Sequence, residues 1–126
     1  MRTTVNSVII NDNKEILLVK KRDTRILPWW KPEEWETDLE CLNREIKEEL
    51  NWAKLKNIRF YGNFIWKTPH KWDYLKAKVY FAELITDTLK ATAELSEAKF
   101  IKNFNDYNIS DITSKVLNWL KETWNL

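Results

Sequence analysis

Apolar residues recur along this chain with two different periods, and the switches between them mark out its elements. Residues 4–10 and 15–21 are rich in Val, Ile, Leu and Thr and read as two strands. Between them lies Asn11-Asp12-Asn13, whose side chains tolerate turn geometry without glycine, so the pair is expected to form a hairpin. The period then lengthens: Leu39, Leu42, Ile46 and Leu50 recur at spacings of three and four and form one apolar helical stripe. Thr37, followed three residues later by Glu40, reads as a capping box and starts that helix at Asp38. Strand character returns at residues 58–66 and again where Leu75, Ala77, Val79 and Phe81 alternate with Lys76, Lys78 and Tyr80. Residues 67–73 and 86–92 read as loops and 98–104 as a short strand. The last helix begins near Asn108 or Ser110 and runs to about Trp124, burying Ile112, Val116, Trp119 and Leu120. Strands on both sides of a central helix, closed by a terminal helix, predict an α/β fold in which a mixed sheet carries helices on both faces.

Charge changes the picture in the central helix. At about 100° per residue, Glu45, Glu48 and Glu49 fall on one flank beside the apolar stripe. Like charges at such spacings repel, so the patch calls for a compensating cation. Arg44 reaches Glu48 by the i, i+4 relation, but one guanidinium cannot neutralise three carboxylates. A hard divalent ion, which favours carboxylate oxygens and water, can. A solvated charged face is the alternative reading of the same spacing.

The segment from Trp30 to Trp52 resembles the Nudix box, G-x5-E-x7-R-E-U-x-E-E-x-G-U with U an aliphatic residue. Glu36 stands at the isolated acid, Arg44-Glu45 at the R-E pair, Ile46 at the first U and Glu48-Glu49 at the E-E pair. Trp30 and Asn51 stand where the glycines belong, and Trp52 replaces an aliphatic residue. The resemblance implies an α/β/α sandwich with a mixed sheet. It implies Glu48 and Glu49 as magnesium ligands, with manganese an alternative, and Glu45 as a further ligand or the base that deprotonates the attacking water. Glu36 would pair with Arg44 and orient the loop against the helix. Trp30, at the first box glycine, is counted among the metal-ligating positions. The implied chemistry is hydrolysis of a diphosphate linkage, in which charge on the phosphoryl oxygens is neutralised and a water is aligned with the leaving oxygen.

Glycine usage is the other anomaly. Average composition predicts about nine glycines in a chain of this length, whereas Gly62 stands alone beside eight tryptophans. Trp29 and Trp30 follow Pro28 where Nudix proteins usually carry P-G-G, and Trp35 precedes Glu36 where they usually carry G-E. One explanation is a gene whose UGA codons its own cell reads as glycine, here rendered as tryptophan, with Trp66 and Trp72 as further cases. A tryptophan-rich variant is the other, and the codons at 29, 30 and 35 decide between them.

Composition limits the rest. The 126 residues fit one domain spanning the whole chain. No run of 18 apolar residues and no signal-peptide pattern occurs, which predicts a soluble, cytoplasmic protein. Cys41, the single cysteine, excludes an intrachain disulfide and reads as a small packed residue. A net charge of +2 identifies no polyanionic partner, although Lys20, Lys21, Arg22 and Arg25 form a basic run before the box. Arg22, Trp66 and Glu97 are the candidate substrate contacts: a forked phosphate donor, a ring able to stack on a base, and an acid in the region where many Nudix proteins place one more carboxylate. Glu94 shares that region, and His70 lies in a polar loop. The expected substrate is a nucleotide, most simply a nucleoside triphosphate cut in the manner of MutT. ADP-ribose, dinucleoside polyphosphates and RNA ends remain open. The alternative is a Nudix-like module that binds nucleotide or RNA without cleaving it. No obligate protein partner is implied; a homodimer is possible.

Overall fold

The computed structural model of the chain describes residues 2–67, 74–86, 88–92 and 95–124. Seven strands and two helices follow one another as β1 (Arg2–Ile9), β2 (Ile16–Lys21), β3 (Thr24–Ile26), β4 (Trp29–Trp30), α1 (Asp38–Glu49), β5 (Lys54–Lys67), β6 (Tyr74–Ile85), β7 (Glu97–Ile101) and α2 (Asp111–Trp124). One sheet runs β4-β1-β6-β5 and is mixed, because β1 pairs parallel with β6 and antiparallel with β4. The other, β3-β2-β7, is antiparallel throughout.

The expected hairpin forms only at its base. Asn11 N–H bonds the Glu15 carbonyl at 3.1 Å and Ile10 bridges Ile16, but beyond that point β1 and β2 enter different sheets. The reason is competition for backbone partners: β1 is paired on both sides by β4 and β6, and β2 by β3 and β7, so neither has a free edge for the other. The two-residue β4 and three-residue β3 are too short to show a period in the sequence.

Alternation along β1 and β2 divides the interior into two cores. Val5, Ile9, Leu17 and Val19 face Cys41, Leu42 and Ile46 of α1. Val8, Ile16 and Leu18 face Val116, Leu117 and Leu120 of α2. The strands are thus sandwiched between one helix on each side. Leu39 departs from the expected stripe: it is 47 % exposed, and Cys41 is buried in the α1 face instead. In the first turn the apolar stripe is therefore carried by position 41, next to Leu42 and five residues before Ile46, and burial pushes the Cys41 thiol up to about 11. The terminal helix forms where expected, with Val116 and Leu120 fully packed and Ser110 Oγ accepting from Thr113 N–H at 3.3 Å, but Leu117 is buried while Ile112 and Trp119 of the expected stripe are only partly so.

Candidate active site

The first turn of α1 is held as the capping box requires: Thr37 Oγ accepts from Glu40 N–H at 3.2 Å, and Glu40 Oε1 accepts from Thr37 N–H at 3.0 Å. Asp38 then ties this end to the sheet, accepting from Tyr80 Oη at 2.7 Å and Lys78 Nζ at 3.3 Å. At the other end Asn51 lies in the left-handed region (φ 49), and Trp52 N–H bonds the Lys47 carbonyl at 2.9 Å. This is a Schellman ending, for which asparagine is the usual substitute for glycine. Thr92 adds a lateral tie, its N–H donating to the Glu49 carbonyl at 2.8 Å and its hydroxyl to the Glu48 carbonyl. Nothing in the sequence pattern singled out Thr92, because its partners are backbone carbonyls 43 and 44 residues away. α1 is therefore fixed at both ends, which is what its acidic flank needs if it is to work as a rigid template.

Arg44 organises that flank. Its Nε donates to Glu36 Oε2 at 2.6 Å and its Nη2 to Glu36 Oε1 at 2.9 Å, a two-pronged pair that clamps the loop before α1 onto the helix. Its Nη1 donates to Glu45 Oε1 at 2.7 Å and reaches Glu48 Oε2 at 3.5 Å. The Glu36 side chain is 1 % exposed, also accepts from Glu33 N–H, and is held down to about 2 by the guanidinium and that amide. A carboxyl whose folded value lies below its ordinary 4.5 stabilises the fold above that value and loses the contribution as pH falls toward 2. Glu36→Gln is accordingly expected to flatten the acid limb of a urea-stability profile over that interval; an unchanged acid limb would show that the pair contributes nothing.

The three box glutamates do not converge on one point. Among the described residues, no group of three or more His, Cys, Asp or Glu is close enough to hold a metal unaided. Glu45 and Glu49, one turn apart, line a cavity of about 270 Å³ together with Lys21, Trp29 and Trp30. Glu48 opens onto a broader hollow of about 750 Å³, with Arg44, Lys47, Trp35 and Trp52. The single patch expected from the helical wheel is thus divided between two openings, with Arg44 Nη1 touching Glu45 at 2.7 Å and Glu48 at 3.5 Å. The donor chemistry nevertheless suits a hydrated hard ion, since magnesium keeps several waters and is bound by one or two carboxylates plus substrate phosphates.

The remaining candidates fall in different places. Arg22 sits in the β2–β3 turn (φ 58), exposed; the basic residue on the wall beside Glu45 and Glu49 is Lys21, its neighbour in the same run. Glu97 is engaged by Arg25 at 2.8 Å, which lowers its carboxyl, and the residue of that region that reaches the cavity is Leu95. Trp66 packs under Lys115 Nζ, 5.3 Å from the ring centroid, at the α2 face of the sheet. Trp30 is 7 % exposed and belongs to the α1-side core, its indole in the cavity wall. His70, Trp72 and Glu94, and most of the loop 67–73, lie outside the described residues.

Residues 1–120 match the family model described as the NUDIX domain. The chain belongs to the Nudix family. Members of this hydrolase family act on nucleoside diphosphate derivatives and generally use divalent metals. Among solved structures the Nudix chain is similar to a MutT NUDIX hydrolase from Burkholderia pseudomallei, with 19% identity, 93% of this chain and 95% of that one covered, and a TM-score of 0.74. It is similar also to a NUDIX hydrolase from Nitrosomonas europaea (15% identity, 93% and 86% covered, TM-score 0.73). A third, the NUDIX domain of Shewanella oneidensis NrtR complexed with ADP ribose, shares 15% identity over 97% of this chain and 87% of that one, with a TM-score of 0.76. Identities this low speak to the fold alone. No curated protein matches the chain. Among the described residues no helix is long and apolar enough to cross a membrane.

Within the Nudix box, the two departures at the end of α1 differ in kind. Asn51 suits its left-handed backbone, whereas Trp52 (φ 65) places a bulky residue there with its side chain 78 % exposed. A left-handed conformation costs an L-residue about 1–2 kcal/mol, a penalty glycine avoids. Trp52→Gly is expected to raise stability by up to about 1 kcal/mol, read as the urea midpoint at constant slope; a lower midpoint would show that the indole contributes packing that outweighs the strain.

Proposed function

We propose that this chain is a magnesium-dependent Nudix pyrophosphohydrolase, with manganese able to substitute, acting on a nucleoside triphosphate and releasing the monophosphate and pyrophosphate. The observation that carries the reading is the placement of Glu45 and Glu49, one turn apart on a helix fixed at both ends, on the wall of one cavity with Lys21. Glu45 and Glu49 would hold the hydrated divalent ion, with Glu48 on the same flank able to join them as a further ligand. When bound, the ion supplies neutralisation of the phosphoryl oxygens.

The protein's own groups account for the remaining work. Lys21, in the lining of the same cavity, would supply positive charge to a phosphoryl oxygen. Glu45 lies in reach of both the cavity and Arg44, so it can take a proton from a water held there while the guanidinium fixes its carboxylate in place. Arg44 and Glu36 are positioning residues, since their bonds are to one another and to the helix flank.

ADP-ribose remains an alternative substrate, because one similar structure is a complex with ADP ribose. A silent binding module is the second reading, favoured by one observation: the glutamate cavity, at about 270 Å³, is smaller than the roughly 300–1,000 Å³ usual for ligand sites. The two are separated by incubating the protein with a nucleotide panel with and without magnesium, alongside the Glu48→Gln, Glu49→Gln double variant. Metal-dependent product from the wild type and none from the variant supports the enzyme. Absence of product from every substrate, together with salt-sensitive RNA binding, would establish the binding module.

A further inference from the structure

The sheet β4-β1-β6-β5 is covered unequally on its two faces. Beneath α2 it is packed, with Val79 buried and Tyr61 and Phe64 set against the same core. On the other face α1 covers only one end. Asp38, in the first turn of α1, accepts there from Tyr80 Oη and Lys78 Nζ, and beyond it the side chains of β5 and β6 are half-buried or exposed. Alternation and the register of the two strands put Asn63 beside Lys78, Ile65 beside Lys76 and Lys67 beside Tyr74 on this uncovered part. Phe60 stands at its inner boundary, edge-on to Tyr80 with 5.2 Å between ring centroids. Phe60 is 53 % exposed, Ile65 54 % and Tyr74 46 %.

Charge narrows what this face suits. β5 contains no acidic residue, and the only one of β6, Glu83, alternates to the opposite face. Beyond Asp38 the two strands therefore present lysines between rings and charge of one sign. A second copy of the chain laid on this face would set lysine against lysine, because a two-fold contact brings a patch onto itself. A nucleic-acid duplex would engage the lysines alone, since its bases stay stacked away from Phe60 and Tyr74. A single strand uses both features, with phosphates along the cations and unstacked bases on the rings. Asn63, exposed among them, carries amide donors and an acceptor suited to a ribose 2′-hydroxyl, the group that distinguishes RNA from DNA.

We propose that this face of β5 and β6 is a docking platform for single-stranded RNA, separate from the glutamate cavity. None of its residues lines that cavity, so the platform does not depend on the hydrolase reading above. Phe60 and Tyr74 supply the stacking surfaces, Lys76 and Lys67 the phosphate contacts. Lys78 is shared with Asp38 and so contributes less charge than its neighbours.

Binding is read as the fluorescence anisotropy of an end-labelled oligouridine of about eight nucleotides, in chelator so that no metal-dependent cleavage intervenes. The wild type is expected to bind it more tightly than the matching oligodeoxyuridine or an RNA duplex. Phe60→Ala should weaken binding about five-fold or more without altering its salt dependence, since a stacking surface is lost and no charge. Lys76→Gln should make the slope of log K against log salt shallower by roughly 0.7, the share of one phosphate contact on a single strand. Lys67→Gln, at an exposed position, gives the same reading if the Lys76 variant does not fold. The Glu48→Gln, Glu49→Gln protein should bind RNA as the wild type does. No binding, equal affinity for the DNA or the duplex, or an affinity that moves in the glutamate variant and not in Phe60→Ala would overturn the proposal. So would dimerisation, or retention on phosphatidylserine vesicles, that Phe60→Ala abolishes while RNA binding is unchanged. RNA held on this face by a protein that cleaves no nucleotide leaves the platform standing and removes the hydrolase reading.

Discussion

Glu49→Gln is expected to reduce kcat by roughly 10²–10⁴-fold, the range associated with losing a positioned acid–base or ligand group, with Glu45→Gln in the same range and Glu48→Gln less damaging. The ranking follows from geometry and not from the box, whose last two glutamates are indistinguishable by sequence. Glu45 and Glu49 share a cavity with Lys21, whereas Glu48 is 57 % exposed and opens on the other side of Arg44. The same substitution should leave the fold intact. Glu45 and Glu49 are i, i+4 neighbours of like charge, and removing one charge relieves repulsion of a few tenths of a kcal/mol. Loss of activity with an equal or higher thermal midpoint is the signature of a site whose charges are kept for function. A midpoint that falls in step with activity would mark Glu49 as structural, and a Glu48→Gln defect larger than that of Glu49→Gln would move the site to the broad hollow.

What could be read from the sequence was the local part. The helix start at Asp38, its capping box and the buried alternation of β6 depend on neighbours within a few residues, and all are in the structure. The Arg44–Glu36 pair was likewise legible, because the box fixes both residues and only eight positions separate them. The sorting of β1 and β2 into separate sheets was not, since it is settled by β4, β6, β3 and β7 competing for backbone edges. The partition of the glutamates was equally hidden. A helical wheel gives the bearing of each Cα–Cβ bond, but a three-carbon side chain bends toward whichever cation is present, and here that is Arg44. Lys21 in place of Arg22 illustrates a third limit: the strand pattern ends at Lys21, and the turn that follows carries Arg22 away from the cavity.

Trp30→Gly is expected to increase kcat/KM by at least roughly ten-fold, although an ordinary buried tryptophan cut back to a small residue costs about 3–5 kcal/mol. Two observations pull against each other at this position. The indole is 7 % exposed and packs with the α1-side core, yet the same ring forms the wall of the cavity that holds Glu45 and Glu49. Removing it would enlarge that cavity toward the size usual for ligands. Solvent and substrate would then occupy the space, so the lost packing is partly offset and the stability cost should fall short of the full core value. The neighbouring tryptophans differ in setting: Trp29 lines both the cavity between β1 and α2 and the glutamate cavity, Trp35 is 72 % exposed beside the broad hollow, and Trp52 occupies left-handed backbone. Of these only Trp52 lies in left-handed backbone, where glycine would relieve strain, and the case for glycine at 29 and 30 rests on the cavity they line, whereas Trp119, packed edge-on against Tyr61 and 3.5 Å from where a Cβ on Gly62 would lie, has the contacts of a residue selected as tryptophan. The combined Trp29→Gly, Trp30→Gly variant should therefore outperform each single one, since both residues line the glutamate cavity. Steady-state kinetics beside urea unfolding resolves the matter. A loss of about 3 kcal/mol or more in Trp30→Gly with no gain in turnover would establish the indole as native core, and UGG codons at 29, 30 and 35 would close the recoding explanation outright.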